Sequence, residues 1–123
     1  MTSTVAAAKT LTDSGWVAMT LGSYAASGTV QYRTYGKQIT ITGKVVLKSE
    51  IRTNYHAPQS IANTKLDFSK IKGCSGFGRS STGVGVYAEA TRFGDDNIID
   101  VFSIDSNIAA GATLYFTITG FID

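Results

Sequence analysis

The sequence has one proline, one histidine, one cysteine and one tryptophan in 123 residues. With so little proline, turns must be made by Gly, Asn, Asp and Ser. A single cysteine, Cys74 within Gly73-Cys74-Ser75-Gly76, excludes an intramolecular disulfide, so the fold must stand on packing. His56 lies in a different polar stretch, so no Cys/His nucleophile pair is visible and Cys74 reads as a small buried filler. Charge is scarce and nearly balanced, with 11 basic and 9 acidic residues giving a net charge of +2. The densest basic group, Lys65, Lys70 and Lys72, alternates with Leu66, Phe68 and Ile71. That spacing reads as a solvated face rather than a phosphate-binding stripe, and no nucleic-acid partner is expected. No apolar run reaches bilayer-spanning length, and the first 16 residues lack the hydrophobic core of a signal peptide, so a soluble chain made in the cytoplasm without membrane insertion is expected.

What the sequence does contain is β-type pattern. Hydrophobic residues at 43% and charged residues at 16% suit one ordered domain over 1–123, with 1–13 as an extended N-terminal segment. Serine, threonine and glycine make up a third of the chain, and period-two alternation recurs where helical periodicity does not. Strands are predicted at 15–21, 28–35, 37–48, 50–55, 65–72, 83–92, 97–104 and 112–122. Eight short strands separated by turn signals predict an all-β fold: an antiparallel β-sandwich or jelly-roll-like barrel.

Ile39, Ile41, Gly43, Val45 and Leu47 share one face of the third strand and are assigned to the core. Near the C-terminus, Leu114, Phe116, Ile118 and Ile122 alternate with Tyr115, Thr117, Thr119 and Phe121, placing large rings on both sides. Residues 97–104 are apolar on both faces as well. Doubly apolar strands in so small a domain point either to oligomerisation or to a central strand covered by loops.

Catalytic and metal signals are weak. "GCSGFGRSSTGVG", residues 73–85, lacks the Gly-Lys-Ser/Thr ending of a phosphate loop and leads into a strand, so it reads as a flexible connection. Gly94-Asp95-Asp96-Asn97 lacks calcium-loop spacing and reads as a turn. Asp67, Glu89 and Asp100 are the acids that convergence across strands would bring together. No enzyme activity, metal or cofactor is expected.

A resemblance is carried by Gly15-Trp16, the Val-Gln-Tyr-Arg run of Val30 to Arg33, a Tyr-Gly turn, the Ile-Thr-Ile-x-Gly-x-Val strand of Ile39 to Val45, and Leu-Tyr-Phe-Thr-Ile-Thr over Leu114 to Thr119. Together these are similar to the C-terminal head domains of tailed-phage receptor-binding proteins, from the tail fibre or baseplate of phages of Gram-positive hosts. The likeness is sharpest over 15–47. It departs where such heads carry a Leu-Pro-x-Gly-type segment, since only Ala57-Pro58 and Ile61 stand there. The resemblance implies a homotrimeric β-sandwich at the virion tail tip, non-catalytic, contacting other tail or baseplate proteins and binding host cell-wall polysaccharide.

The family's binding residues vary, so a saccharide site must come from chemistry: a ring to stack under the sugar and polar groups for its hydroxyls. Tyr55, His56 and Gln59 lie within five residues of one another and are the favoured patch, followed by Tyr24, Arg79, Asp95 and Asp96. Trp16, flanked by Val17 and Met19, reads as a packing residue, and Arg33 as a structural one. Two other readings remain open: an assembly or trimerisation module of a virion without ligand, and a carbohydrate-binding module of a larger enzyme.

Overall fold

A computed structural model describes residues 12–53 and 57–122. Its strands are β1 (Val17–Ala18), β2 (Thr20–Leu21), β3 (Ala25–Tyr35), β4 (Gln38–Leu47), β5 (Ser60–Thr64), β6 (Ile71–Ser80), β7 (Gly85–Phe93), β8 (Asp96–Ser103) and β9 (Thr113–Ile122). A 3-10 turn over Phe68–Lys70 precedes β6. The strands form one antiparallel sheet in the order β1-β3-β4-β9-β6-β7-β8-β5-β2, as an all-β antiparallel expectation requires.

The two edges of that sheet belong to one segment. Val17 and Ala18 pair with Tyr32 and Gln31 of β3, whereas Thr20 and Leu21 pair with Asn63 and Ala62 of β5. Between them, the Met19 amide donates to the Val30 carbonyl at 2.8 Å, and the Gly22 amide donates to the Ile61 carbonyl at 2.9 Å. The sheet is thereby nearly closed into a barrel, which removes most of the unpaired edge an open sheet would carry.

Alternation decides which side chains enter the barrel. Ile39, Ile41, Val45 and Leu47 of β4 and Leu114, Phe116 and Ile118 of β9 are buried, as the sequence pattern predicts, beside Ile61, Val86, Ala88, Ile99 and Val101. Each fully buried Ile or Leu contributes roughly 2 kcal/mol relative to exposure.

The middle of the chain departs from expectation. Of the strand expected at 50–55, the described residues 50–53 hold a bridge between Ile51 and Ile108, while β5, not foreseen, lies at Ser60–Thr64. The Gly-rich stretch expected to be a flexible connection is mostly β6, held in register between β7 and β9. From Cys74 onward its inward positions are small: Cys74, Gly76, Gly78 and Ser80. A Cβ at Gly78 would collide with the Tyr115 carbonyl oxygen and meet Phe116 Cβ at 2.6 Å. Glycine here permits close approach of β9 where the sheet curves, rather than flexibility. Cys74 is buried, and desolvation pushes its thiol up to about 11, which makes it inert packing.

The start of the described chain is fastened to β3. The Arg33 guanidinium forms a bidentate pair with the Asp13 carboxylate, one arm at 2.9 Å, and the Ser14 amide donates to the Thr34 carbonyl. The Arg33 hydrogen bond is the main cause holding the Asp13 carboxyl at about 2. Trp16 stands 47% exposed just before β1, so it is not the packing residue its neighbours suggested.

Candidate functional site

The β7–β8 hairpin ends in the two-residue turn Gly94-Asp95, between the paired residues Phe93 and Asp96. Gly94 sits at φ 62°, a conformation such tight turns require and glycine supplies without strain. The turn projects Asp95 into solvent and leaves the Phe93 ring 60% exposed. β5 lies beside β8 and brings Asn63 opposite Ile98 and Thr20.

Two depressions result. One, of about 390 Å³, is lined by Thr20, Asn63, Thr64, Lys65, Asp95, Asp96 and Asn97. The other, of about 440 Å³, is lined by Gly22, Ser23, Pro58, Ser60, Asn63, Phe93, Asp96 and Ile98. Asn63 and Asp96 line both, so the pair form one cleft at this end of the barrel.

The cleft rests on buried polar supports. The Asn97 side chain accepts the Phe68 amide on Oδ1 at 2.9 Å and donates from Nδ2 to the Thr64 carbonyl at 3.3 Å. Arg92 donates to Asp67 at 3.0 Å and to the Gly94 carbonyl at 3.3 Å, steadying the turn from outside. The Asp67 carboxyl is held below its ordinary range, first by hydrogen bonds from Ser69 and then by Arg92.

The seven expected site residues are distributed unevenly. Asp95 and Asp96 line the cleft. Tyr24 is half-buried against the core, with its amide bonded to the Ser60 carbonyl, so it packs more than it presents. Arg79 stands on the outer face of β6, in a different depression. Tyr55 and His56 lie outside the described residues.

Gln59 is corrected. It is fully buried, and its side-chain amide donates to the Arg52 and Val101 carbonyls at 2.9 Å each while its oxygen accepts the Arg52 amide at 2.7 Å. Its own backbone amide donates to the Asp100 carboxylate at 2.8 Å. A side chain so engaged clamps the 52–59 connection to β8 and has nothing left for a surface ligand.

Of the three acids considered, Glu89 and Asp100 face each other in register across β7 and β8, whereas Asp67 pairs with Arg92 elsewhere. Burial, and then the Glu89 charge, pushes the Asp100 carboxyl above its ordinary value. Neither acid lines any of the four described depressions. Among the described residues no group of three His, Cys, Asp or Glu side chains is placed to hold a metal ion.

Phe93 and Asn63 escaped the sequence reading. An aromatic residue directly before a Gly-Asp turn was the available signal for Phe93; Asn63 had none, because its position depends on the β5–β8 pairing. The chain matches no protein-family model, no curated protein and no solved structure. Among the described residues no helix is long and apolar enough to cross a membrane.

Proposed function

We infer that the domain is a non-catalytic saccharide-binding head of the kind carried by tailed-phage receptor-binding proteins, displayed as a homotrimer at the virion tail tip and directed at host cell-wall polysaccharide. The observation that carries this reading is the cleft at Asn63 and Asp96, where an exposed Phe93 ring adjoins a carboxylate, a primary amide and the hydroxyls of Thr20 and Ser60. A ring of that kind covers the apolar C–H face of a pyranose, and the carboxylate and amide take up its hydroxyls. Binding of the isolated domain to purified Gram-positive cell-wall polysaccharide tests it. Binding that is lost in Phe93→Ala and Asp96→Asn supports the site; a folded domain that ignores wall polysaccharide removes the reading.

A second reading, an assembly module without ligand, draws on Phe77, Tyr115 and Phe121, which stand exposed on the outer sheet face. Light scattering separates the possibilities. A particle three times the chain mass that binds no wall material favours assembly, and a monomer that binds favours a module of a larger enzyme.

A further inference from the structure

The outer face of β4, β9 and β6 carries a shallow groove of about 460 Å³, remote in register from the cleft. Register lays its side chains out in rows. Thr42, Thr117, Phe77, Tyr87 and Phe102 follow one another across five strands, and Lys44, Tyr115 and Arg79 form the next row along.

Phe77 is the most exposed large apolar side chain described, at 69%, yet it is held in place. Tyr87 meets its edge at a centroid distance of 5.5 Å and 65°, and Tyr87 in turn lies 6.4 Å from Phe102 at 26°. Two buttressing rings fix Phe77 as a plate rather than a loose side chain, so little rotamer entropy is lost when something lies on it. Tyr115 stands diagonally across from it on the adjacent strand, about 7 Å away, a spacing that a single sugar ring spans.

The charge is one-sided. Lys44 Nζ lies 5.7 Å from the Tyr115 ring centroid, and Arg79 is the register partner of Tyr115 on its other side. Neither cation is in an ion pair among the described residues, and no acid lines the groove. Two cations bracketing an aromatic ring, with Thr42 and Thr117 supplying hydroxyls, complement a ring that bears negative charge. Two cations are too few for the serial phosphate contacts that hold a nucleic-acid strand.

We propose that this groove is a second ligand site, for a pyranose carrying a carboxylate or phosphate group, with its ring against Phe77 and Tyr115 and its anion between Lys44 and Arg79. It shares no residue with the Asn63 and Asp96 cleft, so either site can fail without the other.

Amide chemical shifts of the full chain, titrated separately with glucuronate, glucose 6-phosphate and glucose, test it. Both anionic sugars are expected to move the Gly43, Gly78 and Thr117 amides, and glucose at equal concentration to leave them in place. The double variant Lys44→Ala, Arg79→Ser removes only exposed side chains, so the fold persists. It should raise the dissociation constant for glucuronate about tenfold or more. Equal shifts with glucose, shifts by the anions confined to other surfaces, no shifts with either anion, or unchanged glucuronate binding in the double variant would each overturn the proposal. So would tighter binding of oligothymidylate than of either sugar, which assigns the groove to single-stranded nucleic acid. Groove shifts that grow with protein concentration alone would assign it instead to a second copy of the chain.

Discussion

The end cleft and the sheet-face groove are both depressions on one barrel, yet they are made by different means. The cleft gathers the ends of β5, β7 and β8 around a hairpin tip, held from beneath by the buried amides of Asn97 and Gln59 and lined by Asp95 and Asp96. The groove is regular strand, lined by the backbone at Gly43 and Gly78, whose Cβ directions face inward, and flanked by Lys44 and Arg79. Loops therefore depend on polar clamps for their shape, whereas a strand face gets its shape from register and curvature. The opposite charge of the two regions also means that one ligand chemistry will not suit both.

The largest expected effect breaks the groove from within. Gly78→Val forces a branched side chain into the β9 backbone and should cost about 3 kcal/mol in chemical denaturation. Gln59→Ala attacks the cleft's support. It removes the side-chain hydrogen bonds of Gln59 to the Arg52 amide and to the Arg52 and Val101 carbonyls, and should cost about 2 kcal/mol by the same measurement. If Gly78→Val proves the milder of the two, curvature is not what shapes the groove.

Phe93→Ala should leave stability nearly unchanged, because the ring is mostly in solvent, while weakening wall-polysaccharide binding about tenfold in calorimetry. Raising salt should weaken glucuronate binding at the groove and leave a neutral sugar at the cleft largely unaffected.

The smallest effects are in pH dependence, and two acids act oppositely. Asp100 is raised in the folded state, so its contribution is present below the unfolded carboxyl value of about 3.9 and is lost as pH rises through its higher folded value. Asp100→Asn, which keeps an oxygen for the Gln59 amide, should flatten thermal melts across that interval. Asp13 is held at about 2, so its contribution is present above about 3.9 and is lost as pH falls through about 2. Asp13→Asn should remove that acid-side loss.

Alternation made β3, β4 and β9 legible in the sequence, with β-branched and aromatic residues recurring at period two, although β9 carries Tyr115 and Phe121 on its outer face as well. The Tyr35-Gly36-Lys37 bend fell where the strand pattern broke. β6 was obscured because glycine usually signals a turn, and nothing local to Gly76 or Gly78 reveals that β9 presses against them. β5 was obscured because Ser60, Asn63 and Thr64 suit a loop as well as a strand. At the site, Asp95 and Asp96 could be read from a turn. Gln59 misled because a polar side chain suggests exposure, although its amide is matched to three backbone groups that become neighbours only on folding. Tyr55 and His56 lie outside the described residues.

The change of partner at Met19 makes five residues, Val17 to Leu21, answerable for both borders of the sheet. Peeling them away would bare β3 and β5 at once, two facing strands with matching gaps. The same segment from a neighbouring molecule would fill that slot equally well. The barrel's closure is therefore also its point of exchange: a tether that strains residues 12–22 would favour reciprocal strand swapping between molecules over simple unfolding.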